Sequence, residues 1–433
     1  MSEQYDNTRS AGNNIKQIII LGAFFFLFGF ITWINGTLIP YLRIACELEE
    51  WQAYLVTFAF YISYTFMALP SSRILQVTGM IKGMQVGLLI MAAGCLIFVP
   101  AALLRYYPLF LAGLFIVGTG TTLLQTAVNP YITKLGSPER AAQRISIMGI
   151  CNKFAGILAP LILGAIILSN SDGLIAELNS LAPEAKSIRL DELAREVIMP
   201  YIVLTLVMVL IAFLIKFAHL PEIEPPGIEA DDKLETPVNH NHNRAFLLGF
   251  TAIFATVGVE VIAGDTISNY GIYHGIRLDV AKSLTAYTLA SMLTGYIFGA
   301  LFIPKLITQE KAYLYSSVLG IFLTVMAVLV PGYASIACIA LLGLANALLW
   351  PAIWPLALHG LQGKLLNLGS AILIMGIAGG AILPLVYGWI AHYSNNQIAY
   401  LVLIPCYLYN IYYLFSRTKY MAKTTPATVA VTP

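Results

Sequence analysis

Apolar runs of about 20 residues recur along the whole chain, separated by short polar breaks, and each is long enough to cross a hydrocarbon core roughly 30 Å thick as a helix. Twelve are read: 17 to 40, 52 to 75, 83 to 104, 108 to 135, 144 to 169 and 199 to 219, then 245 to 272, 281 to 303, 312 to 330, 334 to 358, 367 to 393 and 398 to 416. The first 16 residues are polar, and the first run continues to Pro40 without a small-residue cleavage site, so no removed signal peptide is expected.

The longest polar break, LPEIEPPGIEADDKLETPVNHNHNR, divides the runs into two sets of six. Its prolines, glycine and clustered charge mark a linker, which gives a first bundle over 1–219, a cytoplasmic linker over 220–244 and a second bundle over 245–433. A repeat supports the division. LLQTAVNP (123 to 130) aligns with LLWPAIWP (348 to 355) at an offset of 225, and NGTLIPY (35 to 41) with GDTISNY (264 to 270) at 229. IMGICNKFAGILAPLILG matches IMGIAGGAILPLVYG after a short gap. Helices 1, 4 and 5 thus recur as 7, 10 and 11, the pattern of a duplicated six-helix unit. The fold class is therefore all-α and integral to the membrane.

Composition agrees: 58% of residues are hydrophobic and 11% charged, which fits no ordinary soluble protein. With the N-terminus in the cytoplasm, 16 of the 24 Lys and Arg fall on that side, as the positive-inside rule requires, and the acids of the linker do not overturn it. Both termini are then cytoplasmic. The five cysteines have no C-x-x-C spacing, so neither zinc nor a disulfide framework is expected. A net charge of +2 gives no reason to expect nucleic acid, and no metal or cofactor is implied.

Polar residues inside the spans carry the candidate chemistry. On helix 4, Gly118, Thr122, Gln125, Asn129 and Thr133 share one face. Such a stripe is either a cavity lining or glue between helices. The duplicate face on helix 10 is Asn346, Trp350 and Trp354; helix 1 adds Asn35, with Thr32 and Trp33 beside it, and helix 5 adds Asn152. Amides bond hydroxyls and indoles stack on pyranose C–H faces, which together suit a neutral sugar. Three ionisable residues are buried in spans, where each costs on the order of 2.5–3.5 kcal/mol when charged: Lys153, Glu260 and Asp265. Lys153 lies about 16 Å along helix 5, too deep to snorkel, and needs a carboxylate or a watered cavity. Glu260 and Asp265 lie about 140° apart on a regular helix and share no site unless it loosens at Gly264. His274 and His359 sit at helix ends, where no relay is expected of them.

The stretches LLQTAVNPYITKLG, FGFITWINGTLIPYL, VGVEVIAGDTI and GSAILIMGIAGGAILP resemble the fucose:proton symporter family of the major facilitator superfamily over all twelve spans. Within it, the N-acetylglucosamine permease branch is most similar, beside the glucose/galactose branch. The resemblance implies two pseudo-symmetric bundles and a monomeric carrier in a bacterial inner membrane. It also implies alternating access and import of a neutral sugar, N-acetylglucosamine first, with a coupled proton or sodium ion. A glucose/galactose carrier and an uncoupled facilitator are the alternatives. The family's acids on helices 1 and 4 fall here on Gly36 and Gln125, so coupling is expected to rest on Glu260, with Asp265 and Lys153 as further candidates. The family's helix 10 tyrosine falls on Trp350 and its helix 5 asparagine on Asn152. An enzyme acting on lipid-linked sugars is disfavoured, since no acid, His and Cys constellation with nucleophile or metal spacing is present.

Overall fold

In lipid a backbone must satisfy its own N–H and C=O groups, so runs that are apolar on every side can cross only as helices. That is how they fold. A computed structural model of the chain describes residues 2–134, 141–168, 171–217, 240–303, 306–358, 369 and 372–424. The first six spanning helices are α1 (Gln17–Ala45, turned at Ile34), α2 (Leu55–Thr78), α3 (Met80–Leu103), α4 (Tyr107–Lys134), α5 (Ala141–Ile167) and α6 (Ile198–Leu214). The last six begin with α7 (His240–Asp265, continued as Ile267–Tyr273), α8 (Leu284–Phe302) and α9 (Gln309–Leu329). Then follow α10 (Gly332–Asn346, continued as Leu349–Leu358), α11 (Gly379–Tyr393, entered by the 3-10 turn Gly376–Ala378) and α12 (Leu403–Thr424). Eleven helical stretches among the described residues are long and apolar enough to cross a membrane, and α8 fills the place of the span expected at 281 to 303. The linker falls almost wholly outside the described residues.

Duplication is written in the packing. In the first half α1 lies on α5, α2 and α3 on α4, and α3 on α6. Six helices later α7 lies on α11, α8 and α9 on α10, and α9 on α12. The closest approaches repeat as well. A β-carbon on Gly29 of α1 would strike the Asn152 carbonyl of α5, and one on Gly379 of α11 the Phe254 carbonyl of α7. Apolar side chains gain little from leaving lipid for a neighbouring helix, so small residues that let backbones approach supply the packing. Gly379→Val is expected to cost about 1–3 kcal/mol by overpacking, seen as an earlier melt in detergent. Gly149→Ala, whose β-carbon would only touch the Tyr296 ring at 3.5 Å, should melt like the parent.

The halves meet along α2 with α11 and α5 with α8, again a symmetric pair of contacts. At their centre α1 approaches α7, with Trp33 seated on Gly264. Both helices break close to this point, at Ile34 and at Thr266. From there to the end of the bundle that carries the 46–49 turn the halves stay in contact: Tyr54 packs on Gly388 and edge-on to Tyr387, and Lys282 bonds the Leu168 carbonyl at 2.5 Å.

The same end carries a helical hairpin, Ser171–Ser180 and Pro183–Arg195. Its second arm is tied to the first half. Tyr41 donates to the Leu193 carbonyl at 2.6 Å, Lys186 meets Glu47 at 2.8 Å and Arg105 meets Asp191 at 3.3 Å. The first arm lies instead against Leu278–Ala281 of the other half.

Candidate functional site

Lys153 of α5 and Glu260 of α7 close an ion pair across the two halves, Nζ to Oε1 at 2.6 Å, with side chains only 7% and 13% exposed. The ammonium also lies 4.7 Å from the centre of the Trp33 ring and 5.9 Å from that of Tyr296. Trp33 holds its place because α5 and α7 present Gly156 and Gly264 to it, where any β-carbon would overlap the indole. One carboxylate and two aromatic faces thus offset a charge that lipid-like surroundings would expel.

Asp265 is turned elsewhere, as the angle around the helix requires. It is fully buried, and its Oδ2 accepts a hydrogen bond from the Thr57 hydroxyl of α2 at 3.1 Å. The helix does loosen, but at Thr266 rather than Gly264, too late to swing the two carboxylates together.

The helix 4 stripe divides into two parts. Gly118 abuts the Phe60 carbonyl and Ser63 of α2, and the Thr122 hydroxyl bonds the Gly118 carbonyl at 2.8 Å. At Gly118 the stripe therefore serves helix contact, and the Thr122 hydroxyl is turned back onto its own helix. Gln125 is half-buried and shares a hydrogen bond with Tyr64 of α2. The side chains of Asn129, Thr133 and Trp354, and all of His359, lie outside the described residues.

Asn152, beside Lys153, donates to the Phe25 carbonyl of α1 at 3.3 Å and remains half-buried. Asn35 is fully buried, and neither end of its amide finds a partner among the described residues. Asn346 departs from the expectation. Its amide donates to the Val259 carbonyl at 3.3 Å and accepts from the Tyr407 hydroxyl at 2.7 Å, at 1% exposure. It ties α10 to α7 and α12, so in this conformation it offers nothing to a sugar. Trp350 is half-buried against the core.

The arrangement therefore brings together Lys153, Glu260, Trp33 and Tyr296, with Asn152 next to Lys153 on α5 and Asp265 turned toward Thr57 of α2. Sequence reasoning missed Tyr296 and Thr57, and named Trp33 without linking it to Lys153. Only Trp33 gave a signal, by standing next to Asn35 in a polar patch. Among the described residues no group of His, Cys, Asp and Glu could hold a metal. A crevice of 210 Å³ between α1, α5 and α6 is lined by apolar side chains alone, Phe30, Ile162, Met199 and Val203 among them, and suits an acyl chain rather than a polar solute.

Comparison with known proteins follows the same lines. The family model described as Major Facilitator Superfamily matches residues 21–375. A glucose/galactose transporter of Brucella abortus (strain 9-941) is 32% identical over 413 residues, covering 94% of this chain and 96% of that protein. An L-fucose-proton symporter of Escherichia coli K12 is 26% identical over 429 residues, 96% of each chain. The crystal structure of the transporter FucP in an outward conformation superposes with a TM-score of 0.71 at 25% identity, covering 94% of this chain and 99% of that one.

Proposed function

The chain belongs to the Major Facilitator Superfamily, a transporter and not an enzyme, and from that premise we propose that it imports a neutral hexose by proton symport. Glucose or galactose is the first choice of substrate, since relatives of this length carry that description. N-acetylglucosamine, which the sequence motifs favoured, has no counterpart among these relatives. It remains in the reading as a competitor to be tested. Proton is preferred to sodium because a relative covering 96% of the chain is described as a fucose-proton symporter.

The observation that carries the reading is the Lys153–Glu260 pair. It bridges the two halves at 2.6 Å, so any rocking of one half against the other must stretch or break it. Protonation of Glu260 would release Lys153, which is how a proton gradient could act on the movement. The bundles over 1–219 and 245–433 are the rocking units, joined by the linker over 220–244. The relatives are bacterial, which supports an inner-membrane location, and the bias of Lys and Arg supports cytoplasmic termini, with the 46–49 turn facing outward. The working unit is a monomer.

Gln125, Asn129, Asn152, Trp350 and Trp354 are the proposed sugar contacts, with Asn35 joining when α1 and α7 separate. Uptake of radiolabelled glucose into proteoliposomes is the direct test, with galactose and N-acetylglucosamine as competitors and an imposed proton or sodium gradient. Accumulation driven by protons and inhibited by galactose is expected. Uptake indifferent to both gradients would leave a facilitator, and failure of all three sugars would overturn the substrate class. Gln125→Ala is expected to weaken sugar affinity by up to about tenfold, the worth of one neutral hydrogen bond, without an earlier melt. An earlier melt at unchanged affinity would make Gln125 a packing residue.

A further inference from the structure

Glu260 explains one intramembrane acid and leaves the other without a task. Asp265 is fully buried, and while Oδ2 accepts from Thr57, Oδ1 has no partner among the described residues. One turn further along, Asn269 is 2% exposed. Its amide donates to the Tyr54 hydroxyl at 3.4 Å, and its Oδ1 is likewise without a partner. Thr57 and Tyr54 both belong to the first half and Asp265 and Asn269 to the second, so two parallel ties cross the seam here. They do so at the end of the bundle that Tyr54, Tyr387 and Gly388 hold shut.

The cations nearby in the fold are engaged elsewhere. Lys153 is held by Glu260, Lys282 by the Leu168 carbonyl, and Arg43 by Glu50 at 2.8 Å. Among the described residues the titratable groups facing Asp265 are Tyr54 and Tyr61 of α2, with Tyr387 of α11 behind Tyr54, while Glu260 of its own helix is turned to Lys153. His274, two turns on, packs against Tyr270. None of these supplies a positive charge to the buried carboxyl at neutral pH. An ionised carboxylate stripped of water and left without a counter-charge is strongly disfavoured, while the neutral acid keeps the Thr57 bond on Oδ2 and leaves only one uncharged O–H to be satisfied.

A metal cation would need several oxygens, and the break in α7 could have offered backbone carbonyls. They are already taken. Thr285 donates to the Gly264 carbonyl at 2.8 Å, Thr288 to that of Ala263 at 3.2 Å and Thr266 to that of Ile262 at 2.7 Å. A proton requires one oxygen.

We propose that Asp265 is a proton-binding latch of this end of the bundle: it holds a proton while Thr57 and Asn269 lie across the closed seam, and releases it to water when the seam parts. This rests on the rocking of the halves proposed above and assigns the acid a task separate from Glu260. Protons on the outward side would then favour closure, and the latch would set when the carrier shuts rather than what it carries.

The test uses the full-length purified protein without sugar, so a failed uptake assay leaves it standing. Spin labels at Ala185→Cys and Val280→Cys, both on exposed surfaces of this end but in opposite halves, are introduced in a background without the five native cysteines. In the parent, raising the pH should populate a longer interspin distance. Asp265→Asn should hold the short distance at every pH, while His274→Gln should respond like the parent. Should Asp265→Asn not fold, Thr57→Val decides: it removes a bond of the closed state, so the transition should move to lower pH. A pH-independent parent, a responsive Asp265→Asn, loss of the response in His274→Gln, or an unmoved transition in Thr57→Val would each overturn the latch. So would sodium reproducing closure at fixed pH.

Discussion

Replacing Glu260 by Gln is expected to separate exchange from accumulation. The carboxamide keeps the shape of the side chain and can still accept a bond from Lys153, so the halves can close and open around bound sugar. It cannot trade a proton for that ammonium, so a proton gradient no longer biases the cycle. Counterflow in vesicles, which needs only exchange, should persist within a few-fold of the parent. Gradient-driven uptake should stop when internal and external sugar are equal, the limit for a carrier with no coupled ion. Undiminished accumulation in Glu260→Gln would remove it from the coupling role and turn attention to Asp265.

A second large effect is expected in stability. Lys153→Met leaves Glu260 facing Trp33 and Tyr296 with no ammonium, and breaking a buried pair from one side typically costs about 3–5 kcal/mol. Lys153→Met combined with Glu260→Leu should recover most of that loss, because an apolar pair of similar volume carries no desolvation penalty. Thermal unfolding in detergent reads both, and the difference between the double variant and the sum of the singles gives the coupling directly. The doubly substituted protein should be well folded yet unable to accumulate sugar. If Lys153→Met alone were as stable as the parent, water rather than Glu260 would be the partner of Lys153.

The fold was legible because lipid leaves few options. Twelve apolar runs and matched strings such as NGTLIPY and GDTISNY were enough for twelve helices in two related halves, and the helix contacts repeat as that duplication requires. The site was legible in kind but not in wiring. Spacing put Gly118, Thr122 and Gln125 on one face of α4, yet periodicity does not say which neighbour a face meets, and here Gly118 meets α2 while Thr122 bonds back to its own helix. Asn346 looked available for the same reason, and only the positions of Val259 and Tyr407 reveal that its amide is occupied. That Lys153 would choose Glu260 over Asp265 depended on how α5 crosses α7, a contact between residues 107 apart in sequence.

The hairpin outside the bundle has a practical consequence for imaging. Because Pro183–Arg195 is bonded to Tyr41 of α1, to Glu47 in the turn after it and to Arg105 beyond α3, it is tied to the first half. A carrier built mostly of membrane-spanning helices gives electron-microscope images few landmarks. An antibody fragment raised against this arm, or a small domain fused into it, would supply a fixed fiducial. It would mark one half of the carrier while leaving the other free to tilt.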